Sequence, residues 1–320
     1  MRKKNNVRYS KCMTQFLREF NEFSKYSEDF KNYKFEARLM AYKMQMARGM
    51  QNYMIDNSED NLDSRSLLSA SLIADTIGSL IDADVKGYGQ HIFIKDRVLY
   101  NALQNIKVKD VEGIKQYMKD FAEDFFFTHQ KFDENNNLIS CEDLSQKCLF
   151  YFIHFPIETN DEEGLSVRLR LDKEELICDY VKGCNCASFS SESKYLKNPI
   201  WESDKMDQKL WQLFLNVFFY MKAYPSCVSD GVPHGFRFEY PSIAKKVKLD
   251  INNAIVEKVN VNQGSNATHL VTPHFRKGHF RYLGSDYFKN KKGQFVFIEE
   301  TMVRAQNAKT LNTLEVVKSK

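Results

Sequence analysis

The N-terminal third of the chain repeats its apolar positions with the period of an α-helix. The apolar residues that recur there at spacings of three and four are Phe16, Phe20, Phe23, Tyr26, Leu39, Tyr42, Met46 and Met50. This spacing gathers apolar side chains on one face of a helix, so we predict helices here. The methionines suit a flexible core, or alternatively an adaptable peptide groove. Two further helices are predicted from "SRSLLSASLIADTIGSLIDA" and "DVEGIKQYMKDFAEDFFF".

The period changes to two near residue 147. In "LSVRLRLD" every second residue is apolar, and the apolar runs "KCLFYFIHFPIE" and "EELICDYV" flank it. Alternation of this kind predicts strands, and we expect an antiparallel meander over residues 147–182. The polar segment "KFDENNNLIS" precedes the meander and is rich in turn formers. It marks the predicted boundary between a helical domain, 1–132, and an α+β domain, 133–320.

The last third combines long apolar segments with one hairpin. Residues 204–224, "DKMDQKLWQLFLNVFFYMKAY", predict a core helix that ends before Pro225. A second helix is predicted from "PSIAKKVKLDINNAIVEKV". The stretches "VTPHFRKGHFRYLG" and "GQFVFIEETMV" then predict a β-hairpin over residues 271–304. The expected fold class is α+β, with a helical N-terminal region and a C-terminal antiparallel sheet packed with helices.

Composition suggests a cytoplasmic protein. The chain has 320 residues and seven cysteines at scattered positions, which suits reduced thiols. Its first residues, "MRKKNNVRYSKCMTQF", lack the apolar core of a signal peptide. The most apolar run, "LWQLFLNVFFYM", is shorter than the roughly 20 residues of a membrane helix. We therefore expect a cytoplasmic location and no membrane partner.

The positive charge is concentrated in the hairpin. Residues 271–294 hold six Lys or Arg and one Asp, a net +5, whereas the whole chain carries only +4. A local basic surface with interleaved aromatic rings is typical of a site for phosphates or unstacked RNA bases. The alternative is a solvated hairpin whose cations keep an edge strand soluble. The candidate RNA-binding residues are Lys277, Phe280, Arg281, Tyr282, Lys289, Lys291 and Lys292.

Two histidines of the hairpin are candidate acid–base residues. His274 and His279 lie five apart, so a regular strand would place them on opposite faces. The "RKG" turn, or a bulge that Gly278 permits, would let them converge on a ribose and its leaving oxygen, with Arg276 or Arg281 neutralising phosphate charge. Alternatively, these imidazoles only make hydrogen bonds within the fold. The residues assigned to turns are Pro273, Gly278 and Gly284.

Other established site patterns are missing from the sequence. It contains no P-loop motif, no G-x-S-x-G and no H-E-x-x-H. Cys184 and Cys186 form a C-x-C, but its distance from His274 and His279 does not match a well-specified zinc pattern. We expect no metal and no cofactor.

The hairpin resembles a signature found in phage and mobile-element proteins. "PHFRKGHFRY" is similar to the Pro-His, basic pair, Gly-His-aromatic pattern of the large type V-A anti-CRISPR inhibitor family. The matching positions are Pro273, His274, Arg276, Lys277, Gly278 and His279. Thr272 replaces the family's arginine and Phe280 its tryptophan. The resemblance covers roughly residues 145–305, because the order of the preceding strands and helices is also similar.

This resemblance implies a counter-defence protein. Members of the family recognise a nascent N-terminal peptide of a CRISPR nuclease at the ribosome and cause loss of its mRNA. The implied partners are that peptide, the mRNA and the ribosome. Two alternatives remain: a toxin-like ribonuclease that uses the histidine pair, and a non-catalytic inhibitor that binds a CRISPR nuclease directly.

Overall fold

A computed structural model describes the following residues: 7–26, 32–57, 64–108, 111–132, 138–159, 162–183, 185–190, 202–238, 240–252, 274–276, 278–298 and 301–303. Within them the helices are α1 Thr14–Tyr26, α2 Phe35–Asn57, α3 Ser64–Lys86, α4 Arg97–Asn105, α5 Val111–Phe121 and α6 Glu202–Ala223. The strands are β1 Gly89–Ile94, β2 Glu123–Phe132, β3 Leu138–His154, β4 Leu165–Asp172, β5 Glu175–Lys182, β6 Asn185–Ser190, β7 Val228–Asp230, β8 Lys245–Leu249, β9 His274–Arg276, β10 His279–Tyr282, β11 Phe295–Ile298 and β12 Thr301–Val303. These elements confirm the predicted α+β class.

The chain forms two compact units, and each is built from three separated segments. Unit 1 contains Met1–Lys95, Met118–Asn198 and Ser229–Asp250. Unit 2 contains Asp96–Tyr117, Pro199–Val228 and Ile251–Lys320. Unit 1 therefore takes residues from both sides of the predicted domain boundary.

Unit 1 is organised around one mixed sheet. The strand order is β6-β5-β4-β3-β1-β8-β7, and β2 also pairs with β3. Strand β3, which is 17 residues long, pairs with β2 in its first part and with β1 at Phe150–His154. The pairs β1–β3 and β1–β8 are parallel, whereas β3–β4 and β4–β5 are antiparallel. The predicted meander over 147–182 is thus confirmed, but it forms only part of a larger sheet.

A buried ion-pair network accounts for the polar positions of strand β4. Arg168 is 1% exposed, and its Nε lies 2.8 Å from Oδ2 of Asp179 on β5. Its Nη1 donates to Asp75 at 3.1 Å and to Ser79 at 2.9 Å, both on α3. Arg170 also pairs with Asp179, at 3.0 Å. Arg168 therefore joins the sheet to α3, and Arg170 joins β4 to β5.

Three sequence predictions differ from the structure, one of them only in where a helix ends. The predicted helix beginning at Pro241 contains strand β8, in which Val247 and Leu249 are buried while Lys246 and Lys248 are only partly so. Helix α5 ends at Phe121, and the phenylalanine-rich run after it forms β2. The supposed linker "KFDENNNLIS" contributes residues to β2 and β3, which pair with each other.

Unit 2 is organised around helix α6, which confirms the helix predicted at 204–224. Its middle is buried all round, from Leu213 to Tyr220. Asn216 is tolerated there because its amide donates to the carbonyls of Leu103 and Ile106, at 2.8 and 2.7 Å, at the end of α4. Among the helices that the structure describes, none is long and apolar enough to cross a membrane.

Candidate functional site

The predicted hairpin is present in unit 2 as two short ladders. Strand β10 pairs with β11 from His279–Ile298 to Tyr282–Phe295, and β9 pairs with β12 from Arg276–Thr301 to His274–Val303. The described pairings of the two ladders have the same register offset, because His279 pairs with Ile298 and Arg276, three residues earlier, pairs with Thr301, three residues later. These pairings do not favour the bulge that we expected would bring His274 and His279 to the same face.

The loop between β10 and β11 is held by several hydrogen bonds. A short 3-10 helix covers Asp286–Phe288, and the Ser285 hydroxyl accepts a hydrogen bond from the Tyr287 amide at 3.3 Å. Leu283 and Gln294 close the loop with a backbone hydrogen bond of 2.9 Å. Gly293 has a φ of 81°, a conformation that favours glycine. The loop consequently presents its side chains from a fixed backbone.

One face of the hairpin is packed into the core of unit 2. Phe280 is 1% exposed and its ring stacks on Phe219 of α6 with centroids 5.6 Å apart. Tyr282 is 8% exposed and packs on Phe295 at 4.8 Å. Stacking on an RNA base requires a free ring face. Phe280 and Tyr282 therefore stabilise the hairpin, and we remove them from the candidate RNA interface.

The opposite face carries the cations. Arg281 is exposed, and its guanidinium lies 5.8 Å from the Phe288 ring centroid. Lys289 and Lys291 are exposed in the loop. Lys292 instead pairs with Asp286 at 2.5 Å, and this contact lowers the pKa of the Asp286 carboxyl. The cations available to a phosphate on this described surface are thus Arg281, Lys289 and Lys291.

An aromatic residue that the sequence analysis missed lies beside these lysines. Tyr287 is 85% exposed, and one edge of its ring meets Phe288 with centroids 5.4 Å apart. Tyr287 precedes Lys289 by two residues in a predicted loop, and this position was the sequence signal that could have identified it. The alternation along the strand instead favoured Phe280 and Tyr282 as RNA-binding residues. Together Arg281, Tyr287, Lys289 and Lys291 define what we call the loop surface.

The remaining hairpin predictions have mixed outcomes. His274 and Arg276 lie in β9, but the structure describes only their backbone. Pro273 and Lys277 lie outside the described residues. Gly278 lies between β9 and β10, where a Cβ would come within 2.5 Å of the Phe297 ring. Close packing against the Phe297 ring therefore favours glycine at this position. A Cβ on Gly284 would lie 3.0 Å from the Tyr282 ring, at the start of the loop.

The grouping of possible metal ligands can be read from the described residues. In the part of the chain that the structure describes, no group of three or more His, Cys, Asp or Glu is placed to hold a metal ion. Cys184 lies outside that part, and burial raises the pKa of the Cys186 thiol to about 12. A thiol with such a pKa is a poor ligand and nucleophile near neutral pH.

Unit 1 contains a buried polar relay that the sequence did not reveal. Asp84, His91 and His154 are at most 1% exposed. His91 Nε2 lies 2.8 Å from Asp84 Oδ1, and His91 Nδ1 lies 2.9 Å from His154 Nε2. His154 Nδ1 lies 2.8 Å from the carbonyl of Ser10, and the hydroxyl of Ser242 donates to Asp84 at 2.6 Å.

The hydrogen-bond directions fix the proton count of this relay. A carbonyl only accepts, so His154 Nδ1 carries a hydrogen. Burial lowers the pKa of His154 to about 3, so this imidazole is neutral and its Nε2 accepts from His91 Nδ1. One proton must then lie between His91 Nε2 and Asp84 Oδ1, because two lone pairs would repel at that distance. Since the relay is enclosed, we interpret it as a structural network.

The chain matches no protein-family model and no curated protein, so the resemblance of the hairpin to the anti-CRISPR family remains an expectation.

Proposed function

We propose that this protein is a phage-type counter-defence protein that recognises a nascent peptide of a CRISPR nuclease and causes loss of the encoding mRNA. It would act in the cytoplasm of the infected bacterium, with the loop surface as the part that contacts RNA. The resemblance of the hairpin motivates the biological role. The exposed cations of the loop surface are the structural observation that supports RNA contact.

The chemistry of the loop surface suits single-stranded RNA better than a base-specific duplex site. Arg281, Lys289 and Lys291 provide three positive charges on a backbone that the buried aromatic face holds in place. Phosphate contacts of this kind give affinity without reading sequence. Tyr287 adds one exposed ring, and stacking of a base on such a ring is worth about 1–3 kcal/mol. Any choice among messages would then come from peptide recognition.

Recruitment of a host nuclease agrees better with the hairpin than cutting by the histidine pair. General acid–base cleavage needs two imidazoles on the same side of one phosphodiester. The described pairings on either side have the same register offset, which does not favour a bulge that would bring residues 274 and 279 together. We therefore place RNA binding, and not RNA chemistry, in the hairpin.

The deciding experiment measures message and protein levels in cells that carry reporters for the 5′ coding segments of CRISPR nucleases. We expect wild type to deplete one message selectively, and Lys289→Gln/Lys291→Gln to abolish the depletion. Lys25→Gln/Lys34→Gln removes two exposed lysines outside the hairpin and should leave the depletion intact. His274→Ala/His279→Ala should retain it as well.

The other outcomes assign the alternative functions. Loss of every message, abolished by the histidine variant, would indicate a ribonuclease. A fall in nuclease activity with no change in any message would indicate a direct inhibitor of the folded nuclease. Either result would overturn the proposal.

A further inference from the structure

Unit 1 contains an open cleft of about 710 Å³ that is separate from the hairpin. One wall is the N-terminal segment from Val7 to Lys11, and the opposite wall is the turn from His234 to Arg237. The first residues of α1 complete the lining, together with Glu162 and Glu163. A volume in this range is typical of sites for small molecules.

Both walls are held in place by backbone hydrogen bonds. The Ser10 amide donates to the carbonyl of Phe155 at 2.9 Å, and the carbonyl of Arg8 accepts from Ile157 at 3.0 Å. On the other wall, the Phe236 amide donates to Pro233 at 3.2 Å, and Gly235 has a φ of 85°. The cleft therefore exists before any ligand arrives, which lowers the entropic cost of binding.

Three arginines that line the cleft have side chains without a hydrogen-bond or ion-pair partner among the described residues. Arg8, Arg18 and Arg237 are exposed, and none of their guanidinium groups has a hydrogen bond or ion pair with another residue that the structure describes. Lys11 adds a fourth cation. Glu162 and Glu163 contribute two negative charges, so the lining has a net charge of +2 when His234 is counted as uncharged. Guanidinium groups bind phosphate through paired hydrogen bonds, so this excess favours an anionic ligand.

The start of α1 adds backbone donors to the same cleft. The first intrahelical bond runs from the Leu17 amide to the Met13 carbonyl at 3.1 Å. Thr14, Gln15 and Phe16 line the cleft. Their backbone amides precede that first bond and so have no acceptor within the helix. Free amides at a helix N-terminus bind phosphate groups well. The amides and arginines together offer more hydrogen-bond donors than one carboxylate can use, and this favours a phosphate.

Two aromatic residues also line the cleft, next in the chain to two of the arginines. The rings of Phe236 and Tyr9 line the cleft and remain partly exposed. Phe236 is braced from behind by Phe93 at 4.8 Å and by His154 at 5.1 Å. A fixed aromatic ring offers a planar, apolar surface for the ring of a ligand.

We propose that this cleft binds a nucleotide, with its phosphate at the arginines and the start of α1 and its base against Phe236 and Tyr9. The assignment rests on the lining of the cleft and is independent of the function proposed for the hairpin. It also explains why the cleft is lined by three arginines whose side chains have no partner among the described residues.

Isothermal titration at low salt tests the proposal with AMP, ATP, adenosine and inorganic phosphate. We expect AMP and ATP to bind saturably at one site per chain, and adenosine and phosphate to bind at least tenfold more weakly. Arg18→Gln and Arg237→Gln should each weaken AMP binding by about tenfold, since each removes a charged hydrogen bond. Arg48→Gln, an exposed arginine of α2 outside the cleft, is the matched control.

Three results would overturn the nucleotide assignment. They are the absence of saturable binding by AMP and ATP, equal binding of adenosine and AMP, and an equal loss of affinity in Arg48→Gln. Thermal melting of each variant provides the control for folding, because the substituted side chains are exposed and the melting temperature should stay unchanged.

Discussion

Replacing Lys289 and Lys291 with glutamine should flatten the salt dependence of RNA binding. Each phosphate contact to a single strand contributes about −0.7 to the slope of log K against log salt. The three available cations of the loop surface thus predict a slope of about −2, and the double variant leaves only Arg281, with about −0.7. Lys292 does not enter this count because Asp286 neutralises it.

The difference between the two slopes is the decisive quantity. It is about 1.4 and depends only on the two lysines, whatever further contacts the rest of the chain makes. Fluorescence anisotropy with a labelled single-stranded RNA, titrated between about 50 and 200 mM salt, measures both slopes. Lys25→Gln/Lys34→Gln removes the same charge elsewhere and should reproduce the wild-type slope. An unchanged slope in Lys289→Gln/Lys291→Gln would refute RNA contact by the loop surface.

Three further predictions concern stability. Phe280→Ala should lower the free energy of unfolding by about 3–5 kcal/mol, because it empties a fully buried site against α6; denaturant titration measures it. Arg168→Met should cost about 3–5 kcal/mol, since it leaves Asp179 buried with one fewer cation; Arg168→Met/Asp179→Leu should recover part of that loss in the same assay. Stability should also fall as the pH drops from about 6.5 towards 3, because His154 stays neutral when folded but binds a proton when unfolded; the slope approaches about 1.4 kcal/mol per pH unit.

Each of these has a contradicting result. A loss below about 1 kcal/mol in Phe280→Ala would mean that the ring is not packed as described. Failure of the double variant to recover stability would show that Arg168 acts through α3 and not through Asp179. For the pH effect, His154→Gln should flatten the dependence between about pH 4 and 6, and an unchanged slope would assign it to other groups.

The sequence predicted the hairpin but not which of its faces is buried. Alternation separates Phe280 and Tyr282 from His279 and Arg281, and it says nothing about what covers either set. The covering residues belong to α6, about sixty positions earlier in the chain. Only the tertiary packing shows that the aromatic face is internal, and that Tyr287 in the loop is the exposed ring.

The buried relay could not be predicted from the sequence, for a similar reason. His91 and His154 are single histidines in two apolar runs, and each alone is compatible with an ordinary core position. The parallel register of β1 and β3, in which Phe93 pairs with His154, brings the two imidazoles together. No local pattern encodes that pairing, because the two strands are separated by helices and another strand.

The parallel pairing of β1 with β8 has a consequence for folding during synthesis. Gln90 pairs with Lys245, so unit 1 cannot complete its sheet until most of the chain has left the ribosome. Pairing between such distant segments is slow, because the long intervening loop must close first. Until then one edge of β1, "GQHIFI", stays open and apolar, a template for association with other chains. Truncation before residue 245 should therefore yield chains that aggregate, even though strands β1 to β6 are all present.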